Sequence, residues 1–232
     1  MKKQLILFAF CIIAWVACSK KNNTTNNSTQ AVTITPAPAS QNSFNADLQF
    51  IASQTLLNST GQFSWQFNNA GATFYNSRRI QVGSVLLNNV ALQYNTSSQY
   101  YYTNTNNSSS PHWVVMGSQN IPSFSYTSKM PTCLNWNTFP DTIDHTKAFS
   151  LFIKYDVADQ ISPSIYRGGI IPYTNFGFFN TDTATFSFPA ATYSVGNAQL
   201  LIKTSYTDKV FVNGVPMWFL SRITFTKNIY IK

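Results

Sequence analysis

A two-residue turn flanked by apolar runs constrains this chain's fold more than any other feature. KVFVNGVPMWF (Lys209–Phe219) sets Asn213-Gly214 between two such runs. Asn and Gly tolerate the left-handed backbone that a type I′ turn needs at both central residues, and that turn matches the twist of a tight β-hairpin. VLLNNVALQY (Val85–Tyr94) repeats the arrangement around Asn88-Asn89. The two stretches align, Val85 with Val210 and Leu87 with Val212, as copies of a repeated β module would, or as two hairpins built on one turn type do.

Alternation supports the same class. Phe149, Leu151, Ile153, Tyr155 and Val157 point one way, with Ser150, Lys154 and Asp156 opposite. Ala198, Leu200, Ile202, Thr204 and Tyr206 form a similar set, and Ile223 and Phe225 alternate with Arg222 and Thr224. Period two is the signature of a strand with one wet face. A short final strand is expected at Ile229 and Ile231. Phe44–Leu57 fits either a strand or a short helix, through Leu48, Ile51 and Leu56. Composition agrees: all seven acidic residues are Asp, while Thr, Ser, Asn, Phe and Tyr are abundant. Asn, Ser and Thr compete with helical backbone bonds, whereas aromatic and β-branched residues suit a pleated surface. Turn signals recur about every 8–12 residues, as in a sandwich or barrel.

Pro122, Pro131 and Pro140 mark an edge strand or linker, because proline cannot donate to a central ladder. The expected fold is therefore an all-β, β-sandwich chain. It divides into an N-terminal β module (44–120) and an immunoglobulin-like sandwich (121–232), the latter near the usual size of such a domain.

At the other end, Lys2 and Lys3 precede an apolar run from Leu5 to Ala17. The run is shorter than the roughly 20 residues that span a bilayer and has the length of a signal-peptide core. Trp15-Val16-Ala17-Cys18 resembles the lipobox of bacterial lipoproteins, with Trp15 where that motif prefers Leu. The resemblance implies that 1–17 are removed and that Cys18 becomes the acylated first residue. Two or three acyl chains there would hold the protein permanently, where one chain holds only marginally. Ser19, in place of the Asp that signals inner-membrane retention, implies the outer membrane, facing either the periplasm or the surface. Residues 18–43 then form a flexible tether, SKKNNTTNNSTQ followed by a Pro-spaced TPAPAS, too poor in large apolar groups to order itself. HWVVMGSQNIPSFSY (His112–Tyr126), FSLFIKYDVAD (Phe149–Asp159) and FVNGVPMWF together resemble uncharacterised Gram-negative lipoproteins. That likeness implies a lipid-anchored β module followed by an immunoglobulin-like module and lends no activity.

Several chemistries are disfavoured. The chain carries 15 Lys plus Arg against 7 Asp plus Glu, but Lys2, Lys3, Lys20 and Lys21 precede the folded part. Beyond them only Arg78-Arg79 cluster, so the basic stripe of a nucleic-acid binder is missing. With Cys11 removed and Cys18 acylated, Cys133 has no partner for an intramolecular disulfide and reads as a small buried hydrophobe. PDTIDH (Pro140–His145) offers Asp141, Asp144 and His145, too few ligands for a metal, and reads as a polar loop with Asp capping a turn. Asp156 and Asp159 read as a solvated loop rather than a glycosidase pair. No G-x-S-x-G, H-E-x-x-H or P-loop occurs, and Gly168-Gly169 reads as a plain turn.

Aromatic residues, 16% of the chain, supply the ligand-binding candidates. Tyr100, Tyr101 and Tyr102 cannot all face inward on one strand, Trp136 sits between two Asn in a Pro-bounded loop, and Tyr166 and Tyr173 flank Gly168-Gly169. Planar rings beside amides suit sugar faces, and equally protein interfaces. The expected function is a lipid-anchored envelope protein acting as a non-catalytic binding or structural module, without cofactor or metal. Its membrane contact is the lipid anchor, and its partner a polysaccharide or another envelope protein. The alternatives are a carbohydrate-binding lipoprotein of an uptake system, a glycan-acting hydrolase and a surface-fibre subunit.

Overall fold

The hairpin around Asn213-Gly214 grows into the spine of the molecule. A computed structural model describes residues 32–38, 43–57, 62–104, 110–167, 170–174, 177–178, 183–190 and 194–232. The expected signal peptide, Cys18 and the Gly168-Gly169 turn lie outside them. The described chain is all-β. Its first strands are β1 (Ile34–Pro36), β2 (Ala46–Leu57), β3 (Gln62–Asn76), β4 (Arg78–Ile80), β5 (Val85–Leu87) and β6 (Val90–Ala91). Then come β7 (Gln93–Asn95), β8 (Tyr100–Asn104), β9 (His112–Val115), β10 (Phe124–Thr127), β11 (Thr142–Ile143) and β12 (Phe149–Lys154). The last are β13 (Gln160–Arg167), β14 (Ile170–Thr174), β15 (Gly177–Phe178), β16 (Thr183–Phe188), β17 (Gly196–Val212) and β18 (Val215–Ile231).

Strands β17 and β18, 17 residues each, pair without a register shift from Gly196↔Ile231 to Val212↔Val215. Asn213 and Gly214 turn at φ 49° and 78°, and Asn88 and Asn89 at 48° and 68°, both in the left-handed region that the type I′ turn requires. A long sheet builds outward in the order β14-β13-β17-β18-β2-β3-β8-β7, with β2 parallel to β18. It thus runs across the 120/121 boundary.

One face of this sheet is apolar. Ala198, Leu200, Ile202, Val210 and Val212 of β17 are buried, as are Met217, Phe219, Ile223, Phe225, Ile229 and Ile231 of β18. Two smaller sheets, β10-β9-β5-β6 and β12-β16, supply the second layer. Phe124 and Tyr126 meet Phe219 at ring-centroid distances of 5.9 and 4.4 Å, and Tyr155, just after β12, meets Phe225 at 5.9 Å. The result is a β-sandwich whose core lies between the long sheet and the two short ones. Strand β10 is an edge strand, as the prolines around it require.

Three segments differ from, or resolve, the sequence reading. The expected short terminal strand is the end of a single 17-residue strand. Lys227 takes an inward position that the alternation reserves for apolar groups. Its ammonium donates to the Phe139 carbonyl and lies 2.9 Å from Asp141, so the strand continues through a satisfied cation. Phe44–Leu57, open between helix and strand, is β2. Ala46, Leu48, Phe50, Ala52 and Leu56 face inward together, and the inward Gln54 had blurred the period. Within the stretch read as tether, Ile34–Pro36 pairs with Val210–Val212. Thr33 and Asn213 clamp that end, backbone N to Asn213 Oδ1 and Asn213 N to Thr33 O, both 2.8 Å.

Candidate functional site

The outward residues of the long sheet fall into two territories. Near the hairpin tip an aromatic roof covers the sheet. Phe44 stacks on Trp218 with ring centroids 4.2 Å apart and meets Tyr75 edge-on at 5.8 Å, and Lys209 Nζ lies 4.7 Å from the Trp218 ring. Tyr100 lies over Gly71, where a β-carbon would overlap its hydroxyl. Beneath the roof, Asp47 accepts a hydrogen bond from Gln49 Nε2 at 2.7 Å. Burial raises the Asp47 pKa, against the opposing pull of Gln49 and Arg222.

Beyond the roof the same face is open. The register sets Gln160, Ser205 and Arg222 in one row across β13, β17 and β18, and Ser162, Lys203 and Thr224 in the next. These residues line a cleft of about 300 Å³, floored by the buried Ser162 and Ser164. Past the Ser164–Leu201–Thr226 row come Tyr166, Gln199 and Asn228, then Asn197 and Tyr230. Here Tyr166, Arg167, Asn197, Gln199 and Asn228 line a second cleft of about 540 Å³. Gln199 Nε2 donates to Asn228 Oδ1 at 3.2 Å. The guanidinium of Arg167 lies against Gly196, whose added β-carbon would stand 2.9 Å from it. From Ser205 to Asn197 the two clefts follow β17 for roughly 27 Å, at the rise of an antiparallel strand. Hydroxyl and amide groups that both donate and accept fill this track, with Lys203, Arg222 and Arg167 as its cations.

The aromatic candidates do not converge. Tyr166 lies in the second cleft. Tyr101 is buried, its hydroxyl donating to Val82 O at 2.6 Å and accepting from Val82 N at 3.0 Å, which leaves no face for a ligand. Tyr102 is exposed, and Tyr100 belongs to the roof. Trp136 opens a 3₁₀ turn (Trp136–Thr138) and packs half-buried on the core beside Phe139 and Lys227. Tyr173 pairs in register with Ile165, and its side chain lies outside the described set.

Other groups hold structure. Asp144 accepts from Thr146 Oγ1 at 2.6 Å and Thr146 N at 3.0 Å, bonds that lower its pKa, so Asp144 caps a turn. PDTIDH is not loop throughout, however: Thr142 and the buried Ile143 form β11 beside β18. Asp156 accepts from Thr132 N and Val157 N, both at 2.7 Å. Asp159 accepts from Thr207 N at 2.6 Å, and the buried Asp208 from Lys129 N at 2.9 Å. Cys133 is buried, and burial pushes its thiol up to about 11, far from a reactive thiolate. Among the described residues no group of three or more His, Cys, Asp or Glu is placed to hold a metal, and no helix is long and apolar enough to cross a membrane.

The residues that the sequence reading missed, Ser162, Lys203, Ser205 and Arg222, had an available signal. Counting back from Asn213-Gly214 sets Lys203 opposite Thr224 and Ser205 opposite Arg222 on the face away from Leu200 and Ile202. No protein-family model matches the chain, and no curated protein matches it.

Proposed function

We propose that this protein is a lipid-anchored outer-membrane lipoprotein whose β-sandwich is a non-catalytic carbohydrate-binding module. The observation that carries the reading is the open track on the outer face of β13, β17 and β18. It presents Ser, Thr, Asn and Gln side chains in successive rows, with Tyr166 and Tyr230 at one end. Sugar hydroxyls both donate and accept, and such side chains answer both roles. Tyrosine rings add an apolar face with a polar tip. A long shallow track suits a chain ligand, held by many small contacts and released without chemistry. Permanent acylation at Cys18 would keep the module at the membrane.

Binding of the full chain to a panel of polysaccharides, with reducing-end release assayed in parallel, tests this. Saturable binding without release is expected. Release of sugar would make the protein a hydrolase, and silence on both counts would move the search to a protein partner. For the anchor, labelled palmitate should enter the wild type and not Cys18→Ala; equal labelling would remove it.

A further inference from the structure

Resting on that reading, we infer that the track takes an acidic polysaccharide, one whose sugars carry carboxylate or sulfate. Lys203 and Arg222 form the anion site of the first cleft, and Arg167 that of the second.

Lys203 faces Thr224 and Arg222 faces Ser205, so the two cations are diagonal neighbours on one sheet face. Such diagonals are roughly 7–8 Å apart between backbones, within reach of long side chains, and like charges at that distance repel. Both residues are exposed. Among the described residues the ion pairs join Lys147 to Asp144 and Lys227 to Asp141, and neither involves Lys203, Arg222 or Arg167. Asp47, which does feel Arg222, is tied to Gln49 and drawn toward its protonated form by burial. The first cleft therefore carries two positive charges over a hydroxyl floor, an arrangement completed by an anion from outside.

Arg167 extends this along the strands. Gly196 sits at φ 130°, where a side chain would be strained, and an added β-carbon would come within 2.9 Å of the guanidinium. Arg167 neighbours the Tyr166–Gln199 row, four to five residues along β17 from Lys203, or roughly 15 Å at the strand rise. A single small anion cannot occupy both places. A polymer with repeated acidic groups can, and its neutral hydroxyls would then meet Gln199, Asn228, Ser205 and Thr224.

The test is binding of the full chain, purified in mild detergent, to polygalacturonate, to neutral amylose and to single-stranded oligothymidylate, at about 50 mM and about 500 mM NaCl. Polygalacturonate should bind at least about tenfold more tightly than amylose and weaken about tenfold in the higher salt. Lys203→Gln and Arg222→Gln should each lose about fivefold. Lys203→Gln should not lower the melting temperature, since it removes a repulsion, whereas Arg222→Gln also removes a countercharge of Asp47; a merely structural Lys203 would lower it on substitution. Arg222→Lys should recover part of the loss. Equal, salt-insensitive binding of amylose would overturn the acidic ligand while leaving the carbohydrate module intact. Failure of both polysaccharides would overturn both. Oligothymidylate displacing polygalacturonate would assign the track to nucleic acid instead.

Discussion

The two ends of the long sheet's outer face share strands β17 and β18 and are treated differently. At the hairpin-tip end the protein covers its own surface: Phe44 lies on Trp218, Tyr100 on Gly71, and Ile34–Pro36 lengthens the sheet beside Val210–Val212. At the other end, Ser, Thr, Asn and Gln are left facing outward with Lys203 and Arg222 among them, and Arg167 lines the cleft beside them. A bare sheet face costs little when it is polar, because water satisfies it. Trp218 and Phe44 are apolar and cover one another, although Asp47 and Gln49 lie beneath them. The comparison teaches that aromatic rings close one end of the face, half-burying even Asp47, and leave at the other a polar surface suited to a ligand.

The strongest way to break this contrast is Gly71→Val. A side chain there displaces Tyr100 from the roof, and overpacking of this kind costs about 1–3 kcal/mol. Chemical denaturation should show that loss, and adding Tyr100→Ala should recover part of it. No recovery would mean that Gly71 is held for another reason. Gly196→Ala comes next: its left-handed backbone should cost about 1–2 kcal/mol. Displacement of Arg167 should also weaken polygalacturonate binding, an effect that Gly71→Val lacks. Phe44→Ala should cost about 1 kcal/mol, the worth of an aromatic pair, raise Trp218 fluorescence quenching by acrylamide and leave ligand affinity unchanged.

Asp47→Asn should give the smallest effect. Because folding raises the Asp47 pKa, the charged carboxylate opposes the folded state. That opposition is present above the folded pKa and vanishes below the unfolded value near 3.8. Asp47→Asn should therefore be slightly more stable than wild type at pH 7, with the melting temperatures converging as pH falls through that window. A gap that widens on acidification would contradict the sign.

Much of the frame was legible because backbone chemistry wrote it locally. Asn213-Gly214 and Asn88-Asn89 fixed two hairpins, and alternation fixed the inward faces of β12 and β17. Lys227 and Gln54 were the obstacles, since each puts a polar group at an inward position and breaks the period by which strands are read. The site was less legible. Tyr166 stood out as a lone ring, yet its neighbours Gln199 and Asn228 lie far away in sequence and meet it only through register. The three consecutive tyrosines gave the opposite difficulty: alternation required that they split between faces, but not that Tyr101 be the one turned inward.

Hydroxyl-radical footprinting of the full chain, with and without saturating polygalacturonate, tests most directly whether the open end of this face binds ligand. Tyr166 and Tyr230, at the end of the track, should be protected. The exposed Leu134, Phe152 and Met116, none of them on the track, should be unchanged. Unchanged labelling of Tyr166 and Tyr230, with protection of Leu134 and Phe152 instead, would contradict the assignment and move the binding surface away from the long sheet's outer face.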